Sequence, residues 1–415
     1  MNRILFAFLI VAVMLGIDAY LFSALRFLTQ GLSPRWRTVL HVAFWGVTAV
    51  GVMLVLAAPL LASDAVPRFI RNQVFAVIVL LFLSKLVAAA FFLADDLRRI
   101  LQWTGGKVYG AVVSGGEASD APITRSVFLS WLGMAAGGGL FGSLVWGFGN
   151  RYRYRTESIR LRFENLPEAF RGLRIVHISD IHAGSFTDRK AVEKGVERIL
   201  AEKPDMILFT GDLVNDAAEE MRDYKEVFGR LTAPLGVYSC LGNHDYGDYR
   251  PWPDAESKRA NLQALKDTHR DMGWRLLMNE HVALERDGQT IAILGIENWG
   301  AKANFKKYGK LEEAWKGSEA HPFKILLSHD PSHWDAQVRK DYPDIDLMLS
   351  GHTHGMQFGV EIPGFRWSPV QYVYRQWAGL YREGKQALYV NRGFGFLGYP
   401  GRVGILPEVT VIELA

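Results

Sequence analysis

The sequence predicts an α/β domain with two β-sheets and flanking helices, preceded by four membrane-spanning helices. Three observations predict this architecture. Four apolar runs lie within residues 1–150, whereas short β-branched runs alternate with polar helical stretches from Thr156 onwards. Residues 1–150 carry 11 Lys and Arg against 6 Asp and Glu, and the rest of the chain carries 36 against 37. Of the 11 histidines, only His41 falls in the first part, so we expect any metal or acid–base chemistry in the second.

The four apolar runs each have about the length that a helix needs to cross a hydrocarbon layer of about 30 Å. They cover residues 4–25, 39–61, 74–93 and 128–148. A cleaved signal peptide has one short apolar core, so it cannot explain all four runs. We therefore interpret residues 1–150 as a membrane domain with four transmembrane helices, and the protein as an integral, multi-pass membrane protein.

The sequence gives only weak signals for the function and orientation of the membrane domain. Asp18 and Lys85 lie inside predicted spans, where pairing, snorkelling and a transport path are all open readings. Arginine and lysine residues flank both sides almost equally, so the positive-inside rule does not decide the orientation. The segment TRSVFLSW (Thr124–Trp131) resembles a twin-arginine export signal that keeps one of its arginines. This resemblance favours an extracytoplasmic position for the second part.

Short apolar runs in the second part predict buried strands at residues 174–179, 206–211, 237–242, 290–296, 323–329 and 346–351. Polar stretches predict helices at 187–203, 216–230, 254–272 and 331–341, with Thr187 or Asp188, Asp216 and Asp254 as N-caps. The segments ALYVNRG and EVTVIEL predict further strands. Residues 156–415 are therefore predicted to form one α/β domain.

The composition excludes several classes of protein. The 415 residues are 49% hydrophobic and 22% charged, which is typical of a folded protein and not of a disordered or collagen-like chain. Cys240 is the only cysteine, which excludes internal disulfides and cysteine-based zinc sites. A net charge of +4, without a basic stripe interleaved with aromatic residues, gives no support for a nucleic-acid partner.

Five sequence blocks place metal-binding side chains where predicted strands end, which is where open α/β folds build their sites. The blocks are SDIHAG (Asp180, His182), TGDLVND (Asp212), LGNHDYG (Asn243, His244, Asp245), LLSHDP (His329) and SGHTHGMQ (His352, His354). Any single block is well explained as a turn or a satisfied polar group. Five together indicate a site whose oxygen and imidazole donors suit Mn²⁺, Fe²⁺, Zn²⁺, Co²⁺ or Ni²⁺. Asn391 and Arg392, after a late strand, are read either as phosphate contacts or as turn residues.

In this order the blocks resemble the calcineurin-like metallophosphoesterase superfamily, whose pattern is D-x-H, G-D, G-N-H-[DE], a later H and G-H-x-H. The resemblance runs from Leu173 to the C-terminus and implies a two-sheet sandwich in αββα layers. SGHTHGMQF and the closing NRGFGFLGYPGRVGILPEVTVIEL resemble more narrowly the bacterial membrane-associated branch of YkuE-like and YaeI-like phosphodiesterases. That branch more often has a second glycine where Met356 stands.

The resemblance also implies the roles of the residues. One metal would be held by Asp180, His182, Asp212 and His354, and the second by Asp212, Asn243, His329 and His352, with Asp212 and a hydroxide bridging the pair. His244 would protonate the leaving oxygen, and Asp245 would orient its imidazole.

The resulting prediction is a membrane-anchored dimetal phosphohydrolase with Mn²⁺ favoured, most consistent with a phosphodiesterase or pyrophosphatase. The membrane anchor points to a phosphate ester in or near the bilayer, such as a phospholipid or a nucleotide-linked lipid A precursor, since the family includes members that act on both. A phosphomonoesterase or a nuclease is the alternative within the class. A non-catalytic membrane sensor or scaffold, or a transporter with a fused domain, are the alternatives outside it. The sequence says nothing about protein partners.

Overall fold

The structure, a computed structural model, describes residues 3–61, 66, 68–113, 123–302 and 305–415. The chain divides into two compact units, Met1–Trp146 and Gly147–Ala415.

Four long helices make up the first unit: α1 (Arg3–Leu28), α2 (Pro34–Leu61), α3 (Arg68–Val113) and α4 (Val127–Gly147). Each contains an apolar stretch that is long enough to cross a membrane. Helix α3 has 46 residues and continues well beyond the predicted span at 74–93. Its extension is stabilised by ion pairs at i,i+3 spacing, Asp95 with Arg98 and Asp96 with Arg99.

Asp18 and Lys85, the two ionisable residues that the sequence places inside spans, form a buried polar cluster with Thr48. Lys85 Nζ lies 2.8 Å from each carboxylate oxygen of Asp18, and Thr48 Oγ1 donates to Asp18 Oδ2 at 2.8 Å. Asp18 is fully buried, so each partner offsets the cost of burying the charge of the other. Of the readings left open by the sequence, the structure shows pairing.

The second unit contains fourteen strands among the described residues. They are β1 (Arg155–Leu161), β2 (Arg174–Ile178), β3 (Met206–Phe209), β4 (Val237–Ser239), β5 (Arg275–Leu276), β6 (Glu280–Arg286), β7 (Gln289–Gly295), β8 (Lys324–Leu327), β9 (Leu347–Ser350), β10 (Val360–Ile362), β11 (Phe365–Trp367), β12 (Gly379–Glu383), β13 (Gln386–Val390) and β14 (Glu408–Leu414). The helices are α5 (Arg189–Ala201), α6 (Lys225–Phe228), α7 (Ala255–Asp271), α8 (Leu311–Trp315) and α9 (Arg339–Asp341).

These strands form two six-stranded sheets and one separate hairpin. The first sheet has the order β1-β14-β2-β3-β4-β5 and the second has the order β12-β13-β9-β8-β7-β6, while β10 pairs with β11 alone. Strands β2 to β5 are mutually parallel, as are β7, β8, β9 and β13. The carboxyl ends of the central strands therefore open on one edge of each sheet, and the five sequence blocks follow those ends.

The two sheets pack face to face with helices outside them. Ile175 and Leu208 of the first sheet lie in one buried cluster with Ile325 and Leu349 of the second. Helices α5 and α7 cover the outer face of the first sheet, and a separate cluster around Trp334 covers the outer face of the second. The predicted fold class, a two-sheet sandwich flanked by helices and preceded by four apolar helices, is confirmed.

The helix predicted at 216–230 is wrong in its first half. The carboxylate of Glu220 accepts hydrogen bonds from the backbone N–H groups of Asn215, Asp216 and Ala217, which holds this segment in a tight turn. Only a 3-10 turn at Ala218–Met221 and the single turn of α6 follow. The side chain of Glu220 therefore shapes the loop that leads from β3 into the site.

Candidate metal centre

Five of the residues that the sequence singled out adopt an unusual backbone conformation. Asp180, His182, Asp212, His352 and His354 have φ values of 52°, 50°, 59°, 70° and 51°. A residue with a Cβ rarely adopts this left-handed conformation, because it costs roughly 1–2 kcal/mol. Such strain collects at functional sites, where the surrounding fold holds it in place.

The first group of side chains consists of Asp180, His182 and His354. His354 Nε2 lies 3.2 Å from Asp180 Oδ1 and 3.0 Å from His182 Nε2, and the ligand atoms of all three fall within 4.8 Å of one another. All three residues are buried.

The second group consists of Asp212, His329 and His352, with Asn243 beside them. His329 Nε2 lies 3.1 Å from Asp212 Oδ2, and His352 Nδ1 lies 3.3 Å from His329 Nε2. Asn243 Oδ1 lies 2.8 Å from the same His352 nitrogen. Carboxylate, amide and imidazole atoms thus converge at one point.

Asp212 lies between the two groups. Its Oδ2 atom is 3.1 Å from His329 Nε2 in the second group and 3.6 Å from His182 Nε2 in the first. The structure therefore brings all seven residues predicted as metal ligands into one continuous buried site, with a carboxylate at its middle.

Hydrogen bonds fix which nitrogen of each imidazole faces the site. His182 Nδ1 lies 3.0 Å from Asn215 Oδ1, and His329 Nδ1 lies 2.7 Å from the carbonyl oxygen of Thr210. Because these oxygens accept, both Nδ1 atoms carry a hydrogen, and the Nε2 atoms are the ones turned toward the site. His352 is reversed: its Nε2 lies 2.9 Å from the Tyr374 hydroxyl, and its Nδ1 faces the group.

Asn215 and Tyr374 are functional candidates that the sequence reasoning missed. Asn215 belongs to the quoted block TGDLVND, so its position three residues after Asp212 was available as a signal. Tyr374 lies far from any block, and nothing in the local pattern marks it.

The electrostatics of the site favour positive charge at its centre. Burial opposes a charge on His329, but the carboxylates of Asp212 and Asp180 outweigh it and raise its pKa to about 10. Although burial favours a neutral Asp212, the imidazoles of His329 and His244 hold its pKa well below the usual range. Burial keeps the pKa of His182 well below its ordinary value, so that its lone pair stays available.

These residues fit a pair of divalent metal ions. Each group offers one carboxylate and two imidazoles, the set that borderline divalent metals prefer. The oxygen acceptors behind His182 and His329 are the partners that metal-bound histidines normally have.

His244 lies beside this site, and Asp245 lies beneath it. The backbone N–H of His244 donates to Asp212 Oδ1 at 2.8 Å, and its Nδ1 donates to the carbonyl oxygen of Asn215 at 2.8 Å. The ring packs against Tyr249 with centroids 4.5 Å apart, and the Tyr249 hydroxyl accepts from Asn243 Nδ2.

The structure does not support the predicted role of Asp245 in orienting His244. Both Asp245 oxygens instead accept backbone N–H bonds, which come from Gly242, Asp212, Leu213 and Val214. The 3-10 turn His244–Tyr246 points the two neighbouring side chains in different directions, and the carbonyl of Asn215 orients the imidazole. Burial and the nearby Asp212 raise the pKa of Asp245 to about 7.

Asn391 and Arg392 are structural residues. Asn391 Nδ2 donates to Thr410 Oγ1, and the buried guanidinium of Arg392 pairs with Glu408 and Glu361. Their reading as phosphate contacts is wrong, and their hydrogen bonds tie β13 to β14 and to β10.

Two glycines of the blocks allow the backbone to approach the carboxylates closely. A Cβ on Gly242 would collide with Asp212 Oδ1, and one on Gly351 would collide with Ser179 Oγ and Asp180 Oδ2. The glycine of each motif is therefore a steric requirement of the site.

Known proteins share both parts of the chain. Residues 2–150 match the family described as probable calcineurin-like phosphoesterase, transmembrane domain, and residues 173–356 match calcineurin-like phosphoesterase. The uncharacterized metallophosphoesterase YkuE of Bacillus subtilis (strain 168) is 30% identical over 293 residues, which cover 66% of this chain and 95% of YkuE. The chain belongs to the calcineurin-like metallophosphoesterase family. The family prediction is thereby confirmed, and this family member is a membrane protein.

Two further relatives of this metallophosphoesterase differ in length and description. The transmembrane protein with metallophosphoesterase domain of Danio rerio is 32% identical over 267 residues, which cover 63% of this chain and 57% of that protein. The chain thus spans little more than half of that relative. The UDP-2,3-diacylglucosamine pyrophosphatase LpxG of Chlamydia muridarum is 29% identical over 281 residues, which cover 55% of this chain and 81% of LpxG.

Proposed function

We propose that this protein is a membrane-anchored dimetal phosphohydrolase that acts as a phosphodiesterase or pyrophosphatase. The observation that carries the proposal is the position of Asp212 Oδ2 between His329 Nε2 and His182 Nε2, at 3.1 and 3.6 Å. A carboxylate shared by two histidine groups is the arrangement that holds two cations about 3.5–4 Å apart.

Asp180, His182 and His354 would hold one metal, and Asn243, His329 and His352 the other, with Asp212 shared. Bound there, two divalent ions, with Mn²⁺ favoured, would supply Lewis acidity toward a phosphoryl group and lower the pKa of a coordinated water. The chain itself turns the donor nitrogens of His182, His329 and His352 toward the site through Asn215, Thr210 and Tyr374.

His244 is proposed to donate the proton to the leaving oxygen. Its Nδ1 hydrogen is committed to the Asn215 carbonyl, so Nε2 is the atom that exchanges protons. The hydrogen bond from its backbone N–H to Asp212 holds it at the edge of the centre, and Tyr249 limits rotation of its ring. General acid catalysis of this kind contributes roughly 10²–10⁴-fold to a rate.

We propose that residues 1–150 anchor the enzyme and that residues 156–415 carry catalysis on a lipid-linked phosphate. The relative LpxG, a UDP-2,3-diacylglucosamine pyrophosphatase, supports a substrate of this class. For orientation, the resemblance of Thr124–Trp131 to an export signal supports an extracytoplasmic catalytic unit. Protease accessibility of a tag after Ala415 in intact cells tests this, and a tag that is cleaved only after lysis would reverse the orientation.

The full-length protein in detergent provides the test of the chemistry. Hydrolysis of bis(p-nitrophenyl) phosphate and p-nitrophenyl phosphate is measured with Mn²⁺ and with chelator, for the parent chain and for Asp212→Asn, His244→Ala and the control His321→Ala. His321 precedes β8, hydrogen-bonds Thr290 of β7 and lies apart from the described site.

We expect metal-dependent diester cleavage that is lost in Asp212→Asn and retained in His321→Ala. Dimethyl phosphate, whose methoxide leaving group is poor, is added as a third substrate. His244→Ala should lose a larger fraction of its rate on dimethyl phosphate than on bis(p-nitrophenyl) phosphate. Faster turnover of the monoester would favour a phosphomonoesterase. A folded, metal-loaded chain without turnover on either ester would favour the non-catalytic sensor.

A further inference from the structure

The β10–β11 hairpin exposes an apolar face. Val360 pairs with Trp367 and Ile362 with Phe365, so these four side chains lie on one side of the two-stranded ribbon. Ile362 is 58% exposed and Phe365 is 54% exposed. Large side chains concentrated in this way mark an interaction surface rather than ordinary surface variation.

The opposite side of the hairpin carries its polar residues, and these face the protein. Glu361 pairs with the buried Arg392, and Arg366 stacks over Trp377 and donates to the Tyr381 hydroxyl. The usual alternation of a surface hairpin is therefore reversed, with charged side chains held inward and apolar side chains turned outward.

Further exposed apolar side chains lie in segments close to the hairpin in sequence. Tyr372 lies beside Trp367, with 3.4 Å between its hydroxyl and the indole nitrogen, and Val373 is exposed next to it. Met356 is exposed in the turn that carries His354. We call this surface the apolar rim, defined by Met356, Val360, Ile362, Phe365, Tyr372 and Val373.

The apolar rim is connected to the metal centre at two points. Tyr374 directly follows Val373 and hydrogen-bonds His352 through its hydroxyl. Met356 lies two residues after the predicted metal ligand His354. The next residue, Gln357, donates its amide N–H to the carbonyl oxygen of Tyr399 at 2.7 Å.

The same loop, 399–403, also contacts Gly147–Asn150, the first residues of the second unit. The N–H of Arg402 donates to the carbonyl of Gly147 at 2.9 Å, Asn150 donates to the carbonyl of Arg402, and Phe148 packs on Tyr399. Gly147–Asn150 end the apolar stretch Val127–Asn150, which is long enough to cross a membrane, so we expect them near the membrane surface.

We propose that the apolar rim inserts into the interfacial layer of the bilayer and brings the metal centre to the lipid surface. A bilayer is the occupant that the chain itself supplies, because the loop beside the rim is hydrogen-bonded to Gly147 and Asn150, at the end of the apolar stretch Val127–Asn150. Arg151 and Arg153, which follow the apolar stretch directly in sequence, add the positive charge that anionic headgroups attract. The inference deepens the proposed function, since it gives that site access to phosphate groups of lipid-linked substrates.

Site-specific labelling of the full-length protein tests this without requiring hydrolysis. Cys240 is buried, so an introduced cysteine takes the label selectively. Ile362→Cys and, as an independent position on the same face, Val360→Cys are labelled with bimane in nanodiscs of phosphatidylcholine and phosphatidylglycerol. Lys385→Cys, on the exposed β12–β13 turn, is the control. Quenching is measured with nitroxide-bearing lipids and with aqueous iodide.

We expect lipid quenching at least threefold stronger at positions 360 and 362 than at 385, with the opposite order for iodide. Equal iodide quenching at all three positions would overturn the proposal. Protection of the hairpin labels from both quenchers would also overturn it, because it would mean that protein, such as a second copy of the chain, covers the rim. Loss of diesterase activity in the unlabelled parent would overturn the proposed function alone.

Discussion

Replacing Met356 with glycine should stabilise the second unit. Met356 has φ 55° and ψ 14° within four consecutive left-handed residues, 354–357, and its side chain is 56% exposed. The left-handed conformation costs a residue with a Cβ roughly 1–2 kcal/mol, and glycine avoids this cost. The greater freedom of glycine in the unfolded chain opposes this gain, because it lowers the free energy of unfolding by about 0.4–1 kcal/mol. At mid-range values, about 1.5 kcal/mol less about 0.7 kcal/mol, the net gain in the free energy of unfolding should be about 0.8 kcal/mol.

Met356→Ala is the matched control, because it removes the same exposed side chain and keeps the Cβ. Tryptophan fluorescence of the full-length protein is followed on heating, at one scan rate and one Mn²⁺ concentration. For a unit of this size the gain corresponds to a melting temperature about 1–4 °C higher in the glycine variant than in the alanine variant. Equal melting temperatures, or a more stable alanine variant, would refute the assignment of backbone strain to this turn.

Three other outcomes are expected. Asn215→Ala removes the acceptor for His182 Nδ1 and should raise the Mn²⁺ concentration for half-maximal hydrolysis about 10–100-fold, and an unchanged metal titration would contradict this role. His269 is buried and burial lowers its pKa to about 3, so the unfolded chain binds the proton first as the pH falls. The free energy of unfolding should therefore fall by up to about 1.4 kcal/mol per pH unit as the pH drops from 6.5 towards 3. In acid-unfolding curves, His269→Leu should make the free energy of unfolding depend less steeply on pH. Lys85→Met should destabilise the first unit by about 3–5 kcal/mol, because it leaves the charge of Asp18 buried without a partner. The double variant Asp18→Leu, Lys85→Met should lose much less stability. Equal losses for the two variants in thermal scans would argue against the buried pair.

Sequence reasoning located the site because strand ends constrain position. Asp180, Asp212 and His329 each follow a central strand, and parallel strands bring their carboxyl ends to one edge. The direction in which each side chain points was harder to infer. His244 and Asp245 are neighbours in sequence, but the 3-10 turn sends one side chain to the metal groups and the other to backbone amides.

The parts that escaped prediction depend on contacts between distant segments. Tyr374 reaches His352 only after the chain has passed through the β10–β11 hairpin, and no local pattern encodes that path. The hairpin itself was predictable in principle, because VEIPGFRW alternates apolar and polar residues around a Pro-Gly turn. Which side of that alternation faces outward depends on Arg392, and this could not be read locally.

The position of β14 determines when the second unit can fold during synthesis. This strand, Glu408–Leu414, lies between β1 and β2, pairing in parallel with one and antiparallel with the other. Until residue 414 leaves the ribosome, β1 has no partner and β2 keeps an unpaired edge, although the ligands up to His354 have already emerged. Unpaired edges invite aggregation, so a nascent chain needs protection over this interval. Ribosomes stalled shortly before Glu408 should therefore carry chains that chaperones still hold and that proteases still cut.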